Sequence, residues 1–259
     1  MQVLTRPWGA LHYAVDGPRD APAVVFANSL GTDLRLWDAV LPLLPAIRAI
    51  RFDKRGHGLS DDGREAGIAD LAADAAALIE AVAGGPVVFV GLSIGGMIGQ
   101  SLAASRPDLV RALVLSNAAA RMGDAESWRA RIAAVRAGGT AAIADATMER
   151  WFSPAFRATA ATAPWRNMLA RTGSEGYVVA CTAIAAADLT AATAALHLPV
   201  LAIAGELDGA SSPDLVEATA RLIPGAEFHV VPGVGHLPCV EVPAEWAAPV
   251  EPFLRKHAR

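Results

Sequence analysis

Four consecutive β-favouring residues, Val87–Val90, run into Gly91-Leu92-Ser93-Ile94-Gly95-Gly96, and a helical pattern over Ile94–Ala104 follows at once. A strand apolar at every position has both faces covered, as a central strand of a parallel sheet does. Parallel strands need crossover connections, and the same rhythm fills the first 120 residues. Leu11–Val15, Ala23–Ala27, Ala46–Phe52 and Ala112–Leu115 read as strands. Met1 to Gly17 reads as two short strands, with Leu11–Val15 in an early hairpin. Ile68–Val82 has helical spacing, with Asp70, Asp74 and Glu80 polar, and Gly84-Gly85-Pro86 stops it. This alternation predicts an α/β fold: a mostly parallel central sheet flanked by helices.

The rhythm changes near Arg121. From there to about Leu189 the pattern is Ala-rich and helical, broken at Gly138-Gly139, Pro154, Pro164 and Gly173, and it holds Trp128, Trp151 and Trp165. Sheet rhythm then resumes, with strands over Pro199–Ala204 and Glu227–Val231 and helices over Pro213–Leu222 and Ala244–Leu254. The expected organisation is one α/β core, residues 1–120 and 190–259, with a helical lid over 121–189 lying across the strand ends. A chain of 259 residues, 53% hydrophobic and 19% charged, buries enough to form such a core and is not disordered.

The turn after Val90 carries the chemistry. Gly91-Leu92-Ser93-Ile94-Gly95 matches G-x-S-x-G at a strand-to-helix junction, where a sharp turn holds a serine Oγ exposed. Gly91 and Gly95 remove side chains that would collide across the turn. The Ile94 N–H, at the helix N-terminus, then faces a developing oxyanion. A serine nucleophile needs a base, and of six histidines His236 stands in Val234-Gly235-His236-Leu237-Pro238, between the last strand and the last helix. That suits a Ser, acid, His chain order. His12, His197, His229 and His257 have ordinary structural readings. The acid belongs in Gly205-Glu206-Leu207-Asp208-Gly209, after the strand that follows the insertion. Asp208 is the choice, to set the His236 tautomer, with Glu206 its competitor. Asn28-Ser29-Leu30-Gly31 follows an early strand and offers the Leu30 N–H as second oxyanion donor. The charges in Asp53-Lys54-Arg55-Gly56-His57-Gly58-Leu59-Ser60 are read as structural pairing near the site.

Other functions are disfavoured. The formal net charge is −4, so no basic field attracts nucleic acid. Two cysteines, Cys181 and Cys239, make neither a disulfide framework nor a metal pair, and no histidine has a metal-ligand partner in sequence. No apolar stretch suits a membrane span and the N-terminus is unlike a signal peptide, so a cytoplasmic location without metal or other cofactor is expected.

Together these segments resemble the α/β-hydrolase superfamily, and within it the 3-oxoadipate enol-lactonases of the β-ketoadipate pathway. The match is carried by Asn28-Ser29-Leu30-Gly31-Thr32, the run Asp53–Ser60, Gly91-Leu92-Ser93-Ile94-Gly95-Gly96-Met97-Ile98-Gly99-Gln100, Arg150-Trp151-Phe152 and Gly235-His236-Leu237-Pro238-Cys239-Val240-Glu241. The resemblance implies a compact enol-lactone substrate bearing a carboxylate. Ser93 would attack it, His236 would act as base, and the Leu30 and Ile94 amides would hold the oxyanion. Arg131, Arg150, Arg166 and Arg171 are candidates for the substrate carboxylate. Arg131, sharing a helix face with Trp128, and Trp151, walling the pocket, are the residues chosen. An esterase, a perhydrolase or a carbon–carbon bond hydrolase would use the same residues. A ligand receptor on this scaffold is the non-catalytic alternative.

Overall fold

The computed structural model describes residues 1–63 and 65–259. Eight strands form one sheet: β1 (Gln2–Arg6), β2 (Gly9–Asp16), β3 (Ala23–Ala27), β4 (Arg48–Phe52), β5 (Val87–Leu92), β6 (Val110–Ser116), β7 (Val200–Gly205) and β8 (Glu227–Val231). Their spatial order is β1-β2-β4-β3-β5-β6-β7-β8. The β1–β2 and β2–β4 pairings are antiparallel, and every pairing from β4 to β8 is parallel. All six residues of β5 are buried, which explains why its sequence is apolar without alternation.

The helices are α1 (Ile68–Leu78), α2 (Ile94–Ser105), α3 (Ala125–Gly138), α4 (Ala144–Trp151), α5 (Pro154–Arg157), α6 (Thr162–Ala170), α7 (Ser174–Ala186), α8 (Thr190–Ala194), α9 (Pro213–Arg221), α10 (Pro238–Glu241) and α11 (Pro243–His257). Helix α2 packs along β5 and β6 and against α1, while α9 covers β7 and β8. Between β6 and β7 the chain runs through α3–α8 and adds no strand.

Boundaries differ from the sequence reading in informative places. Helix α1 widens into a π turn over Ile79–Ala83 before Gly84, at φ +79°, ends it. The breaks at Pro154 and Pro164 lie at helix beginnings. Pro154 is the first residue of α5, behind the Ser153 cap, and Pro164 lies in the first turn of α6. A first-turn residue needs no N–H for the helix, so proline fits there.

The chain builds β3 and β4, crosses back past β3 to β5, and from there grows toward the opposite edge. The strand order therefore reverses between β3 and β5. The loops after neighbouring strands diverge at such a switch point and leave a crevice outside the strand ends. Asn28 follows the end of β3 there, and Ser93 follows the end of β5.

Candidate active site

Ser93 has φ +59° and ψ −119°, a conformation that L residues rarely adopt. It persists because both sides of the turn are pinned. Ser93 N–H donates to Ser116 O at 3.0 Å, and Ser93 O accepts from Gly96 N at 2.9 Å and Met97 N at 3.2 Å. The turn is so tight that a Cβ on Gly91 would lie 2.3 Å from Gly95 O, and one on Gly95 would lie 2.1 Å from Ala27 O. The two glycines thus let α2 start directly against β3 and β5. The side chain of Ser93 lies at the N-terminus of a 12-residue helix, on the positive end of its dipole.

His236 is 2% exposed. Its Nδ1 lies 2.8 Å from Asp208 Oδ2, which leaves Nε2 as the other functional atom of the ring. Asp208 is more than an ion-pair partner. Its Oδ2 also accepts from Asn117 Nδ2 at 2.8 Å and Ser211 Oγ at 2.7 Å. Its Oδ1 accepts from Ala210 N at 2.7 Å and Ser211 N at 3.0 Å. Burial pushes the Asp208 carboxyl up, but the charge of His236 and the bonds from His236, Asn117 and Ser211 outweigh it and hold the pKa below the ordinary carboxylate range. Glu206 instead accepts from Gly233 N at 2.7 Å in an exposed turn.

The loop that carries His236 is fixed from the helical segment. Trp151 O, at the end of α4, accepts from His236 N at 2.8 Å and Leu237 N at 3.3 Å. Glu241 accepts from Gly235 N at 2.7 Å and also from Ser153 N at 3.1 Å. One carboxylate therefore ties the histidine loop to the start of α5.

Ser93 and His236 face one cavity of about 50 Å³, lined also by Ser29, Leu30, Trp128, Arg131, Arg150 and Trp151. Arg131 Nη1 donates to Tyr177 OH at 3.0 Å, and its guanidinium lies 5.8 Å from the centre of the Trp128 ring. Arg150 lies on the same wall. Partial desolvation and repulsion from Arg131 lower its pKa. Two cations lining one cavity favour an anion there. The other arginines considered lie elsewhere. Arg166 pairs with Asp145 on the surface, and Arg171 lines a separate cleft. Neither the Leu30 nor the Ile94 N–H donates to a protein acceptor among the described residues; Leu30 lines the same cavity as Ser93, and Ile94 follows Ser93 as the first residue of α2.

The charged loop after β4 is tied up structurally. Asp53 accepts from Leu34 N, Leu59 N and His12 Nδ1 at 2.8, 3.0 and 2.8 Å. Arg55 pairs with Asp74 of α1. Asn117, Ser211 and Glu241 were not singled out from the sequence. The signals were faint: Asn117 stands at the end of β6 with φ +49°, and Ser211 stands three residues past Asp208, the spacing of a side-chain turn.

A sharp strand-to-helix turn after a central strand and a mostly parallel sheet whose strand order reverses are the architecture of α/β hydrolases. The chain matches the alpha/beta hydrolase fold family over residues 22–243 and belongs to it. It is an enzyme, a hydrolase of the carboxylic-ester class. It is 36% identical to 3-oxoadipate enol-lactonase 2 of Acinetobacter baylyi over 203 residues, 77% of this chain and 76% of that protein. It is 31% identical to 3-oxoadipate enol-lactonase 1 of the same organism, over 95% of this chain and 93% of the relative. The crystal structure of the enol-lactonase from Burkholderia xenovorans LB400 superposes with a TM-score of 0.95 at 34% identity, covering 98% of this chain and all of that one. No helix among the described residues is long and apolar enough to cross a membrane.

Proposed function

We propose that this enzyme opens the ring of 3-oxoadipate enol-lactone to give 3-oxoadipate, in the cytoplasm, as a step of aromatic-compound catabolism. One observation carries the reading. Ser93, His236, Arg131 and Arg150 line the same small cavity, so a nucleophile, a base and two cations converge on one compact ligand. Kinship with enol-lactonases over almost the whole chain supports the choice of substrate.

In this reading residues 121–189, with helices α3–α7, form a lid over the strand ends, and Arg131 and Trp151 hold the substrate. The substrate carboxylate sits against Arg131 and Arg150, which places the ring carbonyl over Ser93. His236 Nε2 takes the Ser93 proton as Oγ bonds to the carbonyl carbon. The charge that develops on the carbonyl oxygen is held by the Leu30 and Ile94 N–H groups. Asp208 keeps His236 in the required tautomer and stabilises the imidazolium. The C–O bond of the ring breaks, and the leaving enolate takes the proton from His236 and ketonises. Water then attacks the acyl-serine ester, its proton passing to His236, and the C–Oγ bond breaks as Ser93 Oγ takes that proton back.

Ultraviolet decay of freshly generated enol-lactone tests this, with wild type beside Ser93→Ala. Fast decay is expected, reduced roughly 10⁴–10⁶-fold in the variant. Cleavage of an activated ester without lactone decay would reassign the substrate. Lactone decay untouched by Ser93→Ala would overturn the nucleophile.

A further inference from the structure

Lys54 is buried in the loop after β4, yet its ammonium takes no carboxylate as hydrogen-bond partner. Its nitrogen donates to Ser29 O at 2.6 Å and reaches Thr32 O at 3.5 Å. The nearby acids are committed elsewhere: Asp53 to two backbone N–H groups and His12, and Asp33 to Arg35. His57, the remaining titratable neighbour, is kept neutral by burial and by the charge of Lys54 itself. Burial pushes the Lys54 pKa down to about 7, against the favourable charges of Asp53 and Asp33. Burying an ammonium whose direct partners are carbonyls costs desolvation, so a lysine here needs a reason.

The position of its partner gives one. Ser29 O and the Leu30 N–H are the two ends of a single planar trans amide, pointing in opposite directions. Three donors converge on Ser29 O: Lys54 Nζ at 2.6 Å, Thr32 Oγ1 at 3.0 Å and Thr32 N at 3.3 Å. Each draws electron density toward the oxygen and strengthens the N–H at the far end. The protonated form of Lys54, which shares the population with the neutral amine near pH 7, does so most.

We propose that Lys54 is a positioning residue that fixes and polarises the Ser29–Leu30 amide, and through it strengthens the N–H donor offered to the oxyanion. The inference rests on the assignment of the Leu30 N–H to the oxyanion in the proposed mechanism. Lys54 touches no reacting atom. Its effect falls on the transition state, where the oxyanion forms, and not on substrate binding.

The test compares Lys54→Met with wild type and Ser93→Ala on the enol-lactone and on an activated ester. It also measures affinity for a trifluoromethyl ketone, which forms an oxyanion adduct on a nucleophilic serine, and for the product acid. Removing a whole oxyanion donor costs about 10²–10³ in kcat, so weakening one is expected to cost about 10–100-fold. KM and product affinity stay near wild type, while ketone affinity falls in step with kcat. Wild-type kcat and ketone affinity in Lys54→Met, with activity still dependent on Ser93, would overturn the role of Lys54 alone. Equal losses for ketone and product would mark general damage to the site and also overturn it. Activity independent of Ser93 would remove the mechanism and this inference together. If Lys54→Met does not fold, Thr32→Val removes another donor to the same carbonyl and keeps the side-chain shape. It is expected to lower kcat several-fold at constant KM, and an unchanged kcat would overturn the inference.

Discussion

Asp208 shows how much one side chain does here. Five donors surround its two oxygens, so the carboxylate is held both in place and in charge. Asp208→Asn keeps the shape but presents an amide to His236 and favours the wrong tautomer. Turnover is expected to fall about 10⁴-fold with the circular dichroism spectrum unchanged. A loss under about tenfold would place the orienting role elsewhere. The pKa also links to stability. A carboxyl depressed in the folded state contributes stability fully above its unfolded pKa, about 3.9, and loses it as the pH falls toward the folded value. The stability difference between wild type and Asp208→Asn should therefore shrink below about pH 4, as urea midpoints across an acid series would show. Ser93, His236 and the candidate acid were legible in the sequence because each stands in a short, chemically distinctive loop. Asn117 was not, because any polar residue near a strand end looks like it until Asp208, 91 residues on, is brought alongside; Ser211, three residues past Asp208, shows only the spacing of a side-chain turn.

At the scale of elements, the strand-to-helix turn depends on the distance between backbones. Gly95 sits where a Cβ would meet Ala27 O of β3, and backbone cannot yield as a flexible side chain can. Gly95→Ala should push the first turn of α2 away from β3. We expect a loss of about 1–3 kcal/mol in chemical denaturation, together with lower kcat as Ser93 shifts. A wild-type denaturation midpoint would refute the close-packing argument. Strand and helix positions were largely readable from periodicity, since buried parallel strands are uniformly apolar. The breaks read at Pro154 and Pro164 fall at the start of α5 and in the first turn of α6. Proline punctuates a pattern without saying on which side the helix lies, and the Ser153 cap decides that only once its Oγ meets Phe156 N.

For the molecule as a whole, the cavity exists because two distant parts of the chain close on each other. Ser93, Leu30 and His236 come from sheet loops, while Trp128, Arg131, Arg150 and Trp151 come from α3 and α4. If the arginines receive the substrate carboxylate, Arg131→Met should raise KM for the lactone about 10–100-fold. Hydrolysis of a neutral activated ester should change little, since it carries no anion for Arg131 to hold. Parallel loss on both substrates would instead point to collapse of the Arg131–Tyr177–Trp128 packing.

Whatever depends on neighbours along the chain is written locally in the sequence. A uniformly apolar strand, a glycine-flanked serine and a histidine in a loop between strand and helix are local patterns, and local sterics and periodicity dictate their outcome. Tertiary structure alone decided which charges meet. It set Asp208, the acid preferred from the sequence, against His236 and Glu206 against Gly233, brought Arg131 and Arg150 to the cavity but sent Arg166 and Arg171 elsewhere, and set the Lys54 amine on the Ser29 carbonyl. Ion pairs and hydrogen bonds act over a few ångströms between residues far apart in sequence, so their partners are settled only when the packed sheet and helices bring the loops together.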